Sequence, residues 1–146
     1  MPLDEDDSFI GEELIHPGGQ PCPLKLAAIS HFRLRKLQSE IHHRLYAHAA
    51  LNLGVPTKGW YEFIVRKVED WRNDKPPTNG FASQHWLDLN YHHTRTLVFR
   101  PAPNCPQPDR EGLQHALAAS TGVIKAYRGM YRDGRINYSK SDFCFS

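Results

Sequence analysis

Residues 110–132, REGLQHALAASTGVIKAYRGMYR, decide the fold. Leu113, Leu117, Ser120, Ile124, Tyr127 and Tyr131 recur there in steps of 4, 3, 4, 3 and 4. Such steps return to one side of a 3.6-residue turn, whereas a strand would need steps of two. Asp109 ahead of the stretch is a good helix cap, and Asp133-Gly134 stops it. The segment is predicted to be an amphipathic helix whose apolar face must be covered.

The same reading extends towards the N-terminus. Residues 101–108 form a proline-rich loop, and Arg100-Pro101-Ala102-Pro103 ends a preceding helix, because proline cannot continue one. Ser83 is its N-cap; Trp86, Leu87, Asn90, Tyr91, Thr94, Leu97 and Val98 populate one broad side. Thr57 caps a helix over about residues 58–74, with Trp60, Phe63, Ile64, Val68 and Trp71 as its apolar face, and Lys75-Pro76-Pro77-Thr78-Asn79-Gly80 ends it. The first helix is expected to start near Leu24–Ala27 and run to about Leu53, where Gly54 and Pro56 stop it. Its stripe is Leu34, Leu37, Ile41 and Leu45, with Ile29 and Ala49 close by. Residues 1–24 read as an acidic extended lead-in, and the last dozen residues as irregular. No run alternates with period two for long, and no repeat of 20–50 residues is present. The expected fold is all-α: four or so amphipathic helices joined by Pro-rich loops. The aromatic load on their faces implies an incomplete part of a larger helical regulatory domain.

Composition narrows the function classes. The chain has 146 residues, 40% hydrophobic and 23% charged, too apolar for full disorder. Its net charge of +2 hides an asymmetry: residues 1–13 hold six acids (Asp4, Glu5, Asp6, Asp7, Glu12, Glu13) and no Lys or Arg. The basic remainder permits weak phosphate attraction, but it reads as the solvated sides of amphipathic helices, and no direct nucleic-acid contact is expected. The three cysteines, Cys22, Cys105 and Cys144, are far apart and contain no CxxC, which points to a reducing compartment. Apolar runs are too short for a membrane span, and the acidic start has no signal-peptide pattern, so the expected protein is soluble and intracellular.

No catalytic or metal centre emerges. His42-His43 and His92-His93 are adjacent pairs, whose members point about 100° apart on a helix. Asp88 and His92 share a face but are too few for a closed site. There is no GxSxG, no phosphate-binding glycine loop and no cysteine beside a clear helix N-terminus, so an enzyme is not expected. Trp60, Trp71, Trp86, Tyr91 and Tyr127, with His92 and Arg100, are read either as core or as the walls of an effector pocket for an apolar or anionic small molecule. The acidic start, with Phe9, Ile10, Leu14 and Ile15, is read either as a solvated lead-in or as an activation-type segment.

The order of the motifs resembles a known family. Met1-Pro2-Leu3-Asp4-Glu5-Asp6-Asp7 resembles the opening of the fungal-specific transcription factor domain, the middle homology region of zinc-cluster Zn2Cys6 transcription factors. Leu34 through Ile41, followed by Leu45-Tyr46, is similar to its first helix, and Trp71-Arg72 with Pro76-Pro77 to its next segment. Trp86-Leu87-Asp88-Leu89-Asn90-Tyr91-His92 with Leu97-Val98-Phe99-Arg100-Pro101 resembles its W-x-x-L-x-Y-H…R-P signature. Leu113 through Tyr131, with Ala118-Ala119 and Ile124, resembles its later helix, and Ile136-Asn137-Tyr138 the sequel.

The resemblance covers residues 1–138. It implies a partial middle homology domain over 25–138, nuclear, tuning RNA polymerase II transcription through the transcription machinery, through the rest of a larger factor, or through a small-molecule effector. It also implies zinc only in a cluster domain that this chain lacks, since such a cluster needs six cysteines. No cofactor is therefore expected here. The family's cysteine near the start of the last matched helix is replaced by His115 or a neighbour, and residues 139–146 depart from the family's apolar continuation, as an aberrant or truncated tail would. The alternative reading is a stand-alone helical module for a protein or small ligand.

Overall fold

In the computed structural model, which describes residues 23–74 and 83–134, side-chain caps start three of the four helices. Thr57 Oγ1 accepts from the Trp60 amide at 3.3 Å, Ser83 Oγ from Trp86 at 3.1 Å and Asp109 Oδ1 from Gly112 at 2.7 Å. Each satisfies an amide that has no partner within its helix, and each is worth about 1 kcal/mol. The helices are α1 (Pro23–Leu45), α2 (Lys58–Asn73), α3 (Gln84–Phe99) and α4 (Arg110–Arg132), with a 3-10 segment at His48–Leu53. Among the described residues there is no strand, only an isolated bridge between Ala102 and Cys105, and the protein is all-α. The acidic lead-in up to residue 22, the 75–82 connection and the tail from residue 135 lie outside the described residues.

The first helix ends earlier than its sequence suggests. It stops at Leu45 rather than near Leu53, because Tyr46 and Ala47 both donate to the His42 carbonyl and Ala47 turns extended. The carbonyls freed there are taken by a residue about sixty positions away. Asn104 donates its amide to Leu45 O at 3.1 Å and its side chain to Arg44 O at 2.8 Å. Gly54, at φ +67°, ends the 3-10 segment, a backbone state open to glycine without strain.

The core lies between α1, α2 and α3. Leu34, Ile41 and Leu45 from α1 meet Ile64, Val68 and Trp71 from α2 and Leu87, Tyr91, Leu97 and Val98 from α3. Full burial of each large aliphatic contributes about 1.5–3 kcal/mol. Two buried polar links fix the register. Gln38 Nε2 donates to Thr94 Oγ1 at 2.9 Å, and Trp71 Nε1 donates to the Ser30 carbonyl at 2.9 Å. Ile29, Ala49 and Phe63, expected on the apolar faces, are exposed instead. The α1 stripe that packs begins at Leu34, and Ala49 falls in the 3-10 segment beyond the break.

The apolar stripe of α4, which the sequence says must be covered, has no cover among the described residues: Leu113, Leu117, Ile124, Tyr127 and Tyr131 are exposed. What α4 turns inward is its small residues, Ala119, Gly122 and Ala126. Small side chains let two backbones approach closely, so the helix hugs α3 through them and leaves the bulky stripe outside. Of the helices, α4 packs against α3 alone.

Candidate interaction surface and cavity

The α3/α4 seam has a strict antiparallel register. His85 lies over Gly129, His92 over Gly122, and Phe99 stacks on His115 at 4.7 Å between ring centroids. The contacts step by seven along α3 and by seven back along α4, as knobs from one helix entering gaps on another do. A Cβ on Gly122 would lie 2.3 Å from His92 Nδ1, and one on Gly129 would lie 2.5 Å from the His85 ring. Burial, and next the Arg72 charge, hold the His92 imidazole below its usual pKa. His85 Nε2 also reaches Asp133 at 3.3 Å, beyond the C-terminal end of α4.

A polar network ties α2 to α3. Glu69 Oε1 accepts from Tyr91 Oη at 2.6 Å and from Arg95 at 2.6 Å, and Arg72 pairs with Asp88 at 3.1 Å while lying 4.1 Å over the Tyr91 ring. Asp88 is thus engaged with a guanidinium. No three His, Cys, Asp or Glu among the described residues gather as metal ligands.

The seven residues singled out from sequence do not line one cavity. Trp71 and Tyr91 belong to the core, and Trp60 and Trp86 pack partly buried against it. His92 wedges into the α3/α4 seam, and Tyr127 is exposed on the far side of α4. Arg100, at the end of α3, donates to Tyr46 Oη at 2.8 Å.

A cleft of about 650 Å³ opens elsewhere, between α2, the end of α3, the 101–109 loop and the start of α4. Tyr61, Val65, Arg95, Phe99, Cys105 and His115 contribute to its wall. Tyr61 and Phe99 lie nearly parallel, at 14° and 6.1 Å, and Phe99 continues the stack to His115. Burial, then a hydrogen bond with the Cys105 thiol, push the Tyr61 phenol well above its usual pKa. A cleft with apolar walls and Lys58, Arg95 and Glu62 at its rim can hold a small amphipathic molecule. Sequence reading missed these residues. The available signal was Tyr61-Val65 and Arg95-Phe99, two i, i+4 pairs that share a helix face.

The surface therefore defines the class: an all-α scaffold with one helix whose apolar face lacks a cover among the described residues, and an open cleft lined by aromatic side chains. In sequence the chain is similar to the Pyrimidine pathway regulatory protein 1 of Saccharomyces cerevisiae, 24% identical over 148 residues. That match takes in 92% of this chain and 16% of the yeast protein, so the chain spans a small part of its relative's length. The chain thus has a relative among fungal regulatory proteins. No family model matches, and no solved structure matches. No helix among the described residues is long and apolar enough to cross a membrane.

Proposed function

We propose that the chain is part of the regulatory, middle homology domain of a fungal transcription factor, acting in the nucleus through protein contacts rather than by reading DNA. The observation that carries this is the similarity to a yeast regulatory protein across 92% of the chain. The three cysteines cannot form a six-cysteine zinc cluster, so DNA recognition would belong to another domain. The reading is non-enzymatic, in keeping with the regulatory name of the yeast relative.

The test is a tethering assay. The chain is inserted between a heterologous DNA-binding domain and an activation domain, and reporter transcription is read in yeast. The expected result is a severalfold change in output that disappears when the core is broken by Leu34→Asp. Equal output from the intact insert and the broken one would overturn the proposal. A second reading, a stand-alone ligand module, is favoured by the 650 Å³ cleft. It requires a small amphipathic compound that raises Tm and that loses this effect in Val65→Trp, which fills the cleft.

A further inference from the structure

The outer stripe of α4 keeps a strict 3.5-residue repeat, the period of a seam made for one more amphipathic segment. Leu117 and Ile124 at its centre are 70% and 68% exposed. Along its solvent flank stand Lys125, Arg128 and Arg132, all exposed and none of them ion-paired among the described residues. The occupant of this seam should therefore be apolar with acidic flanks. A second copy would set one basic rail against another. Residues 135–146 carry Arg135 and Lys140 against Asp142 and offer no acidic match. One segment of the chain fits: residues 4–15, with six acids, no Lys or Arg, and Phe9, Ile10, Leu14 and Ile15.

The topology brings the two to the same end of the bundle. His31 of α1 lies against Trp86 at 5.7 Å, and the neighbouring His85 touches Gly129 and Asp133 at the end of α4. The N-terminal half of α1 thus lies at the same end of α3 as the basic half of α4, the two flanking α3 without touching. The connection must cross about two helix spacings, roughly 16–20 Å, and residues 16–22 can span at most about 23 Å. We propose that the outer face of α4 is a docking strip for the chain's own acidic segment, residues 4–15, with the apolar side chains on the heptad stripe and the carboxylates on Lys125, Arg128 and Arg132. The strip is defined by surface chemistry and does not depend on the transcriptional reading.

The experiment is zero-length carbodiimide crosslinking of the full chain, mapped by mass spectrometry on a mixture of isotope-labelled and unlabelled protein. The expected product joins Asp4–Glu13 carboxylates to the Lys125 amine within one molecule. Its yield should fall at least about fivefold in 1 M salt, where the screening length is about 3 Å. It should fall similarly in the double variant Arg128→Glu/Arg132→Glu and in Ile124→Ser, all at exposed positions whose folding is checked by circular dichroism. Crosslinks from the acidic segment that reach only Lys25, or that reach Lys58 and Lys67 as readily as Lys125, would overturn the proposal. So would a Lys125 product found only between labelled and unlabelled molecules, or one made with Asp142.

Discussion

Adding one methyl group at Gly122 tests the α3/α4 seam directly. In an unpacked helix, Gly→Ala stabilises by about 1 kcal/mol. Here the new Cβ would fall 2.3 Å from His92 Nδ1, 2.4 Å from Cγ and 2.5 Å from Cε1. Cγ sits close to the α3 backbone, so the ring cannot clear the methyl by moving its tip alone, and the helices must part or His92 must change rotamer. Overpacking of this kind costs about 1–3 kcal/mol, and a methyl set against three ring atoms at 2.3–2.5 Å falls in the upper half of that range, which outweighs the propensity gain. Gly122→Ala is therefore expected to destabilise by about 1–2 kcal/mol net, a Tm drop of roughly 4–10 °C. Gly59→Ala, where the nearest atom outside the helix backbone is Thr57 Oγ1 at 4.0 Å, is the control and should hold or raise Tm. A double-mutant cycle isolates the cause. In a His92→Ala background, Gly122→Ala has room and should stabilise, giving a coupling of about 2 kcal/mol. Thermal and urea melts provide the assay. A Gly122→Ala protein as stable as the parent, or a penalty that persists without His92, would refute the seam described above.

Three further outcomes follow from other contacts. Thr94→Val keeps the shape but removes the acceptor of Gln38 Nε2 at a fully buried position, and a loss of about 1–3 kcal/mol is expected in urea melts. Asn104→Ala should cost a similar amount by freeing the Arg44 and Ala47 carbonyls, which accept from its side chain, and hydrogen exchange should rise at the end of α1 before it rises in α2. His92 has a folded pKa below its unfolded value near 6.5, so the unfolded chain binds the extra proton. Its contribution is present in full above that value and is lost as pH falls through the folded pKa. Tm should decline between pH 7.5 and 5.5 with a slope that His92→Gln reduces; an unchanged slope would assign the pH response to other groups.

The helices were legible in the sequence because caps and breakers are local. Thr57, Ser83 and Asp109 each sit where their side chain meets an orphan amide, and the α4 bounds agree with those expected. The end of α1 was not legible, since no proline or glycine marks Leu45. The helix ends there with Asn104 arriving from far along the chain, an event that no local window contains. Which face α4 turns to α3 was not legible for a related reason. Periodicity identifies an apolar stripe but not its partner, and the helix has two stripes: the bulky one and the small one through Ala119, Gly122, Ala126 and Gly129. The large side chains of α3, His85 and His92, select the small stripe. The cleft was invisible because Tyr61, Phe99 and His115 come from three elements and meet only after folding.

Because α3 is the single helix against which α4 packs among the described residues, these four helices form two tiers of stability. The fourth helix can lift away without opening the layer of Leu34, Ile64 and Val98, which the other three helices seal among themselves. Such partial openings need only a fraction of the free energy of global unfolding. Amide protection along residues 110–132 should therefore fall well short of that at Ile41 or Val68. A binding event on this outer helix would set how often it peels while leaving the inner three undisturbed.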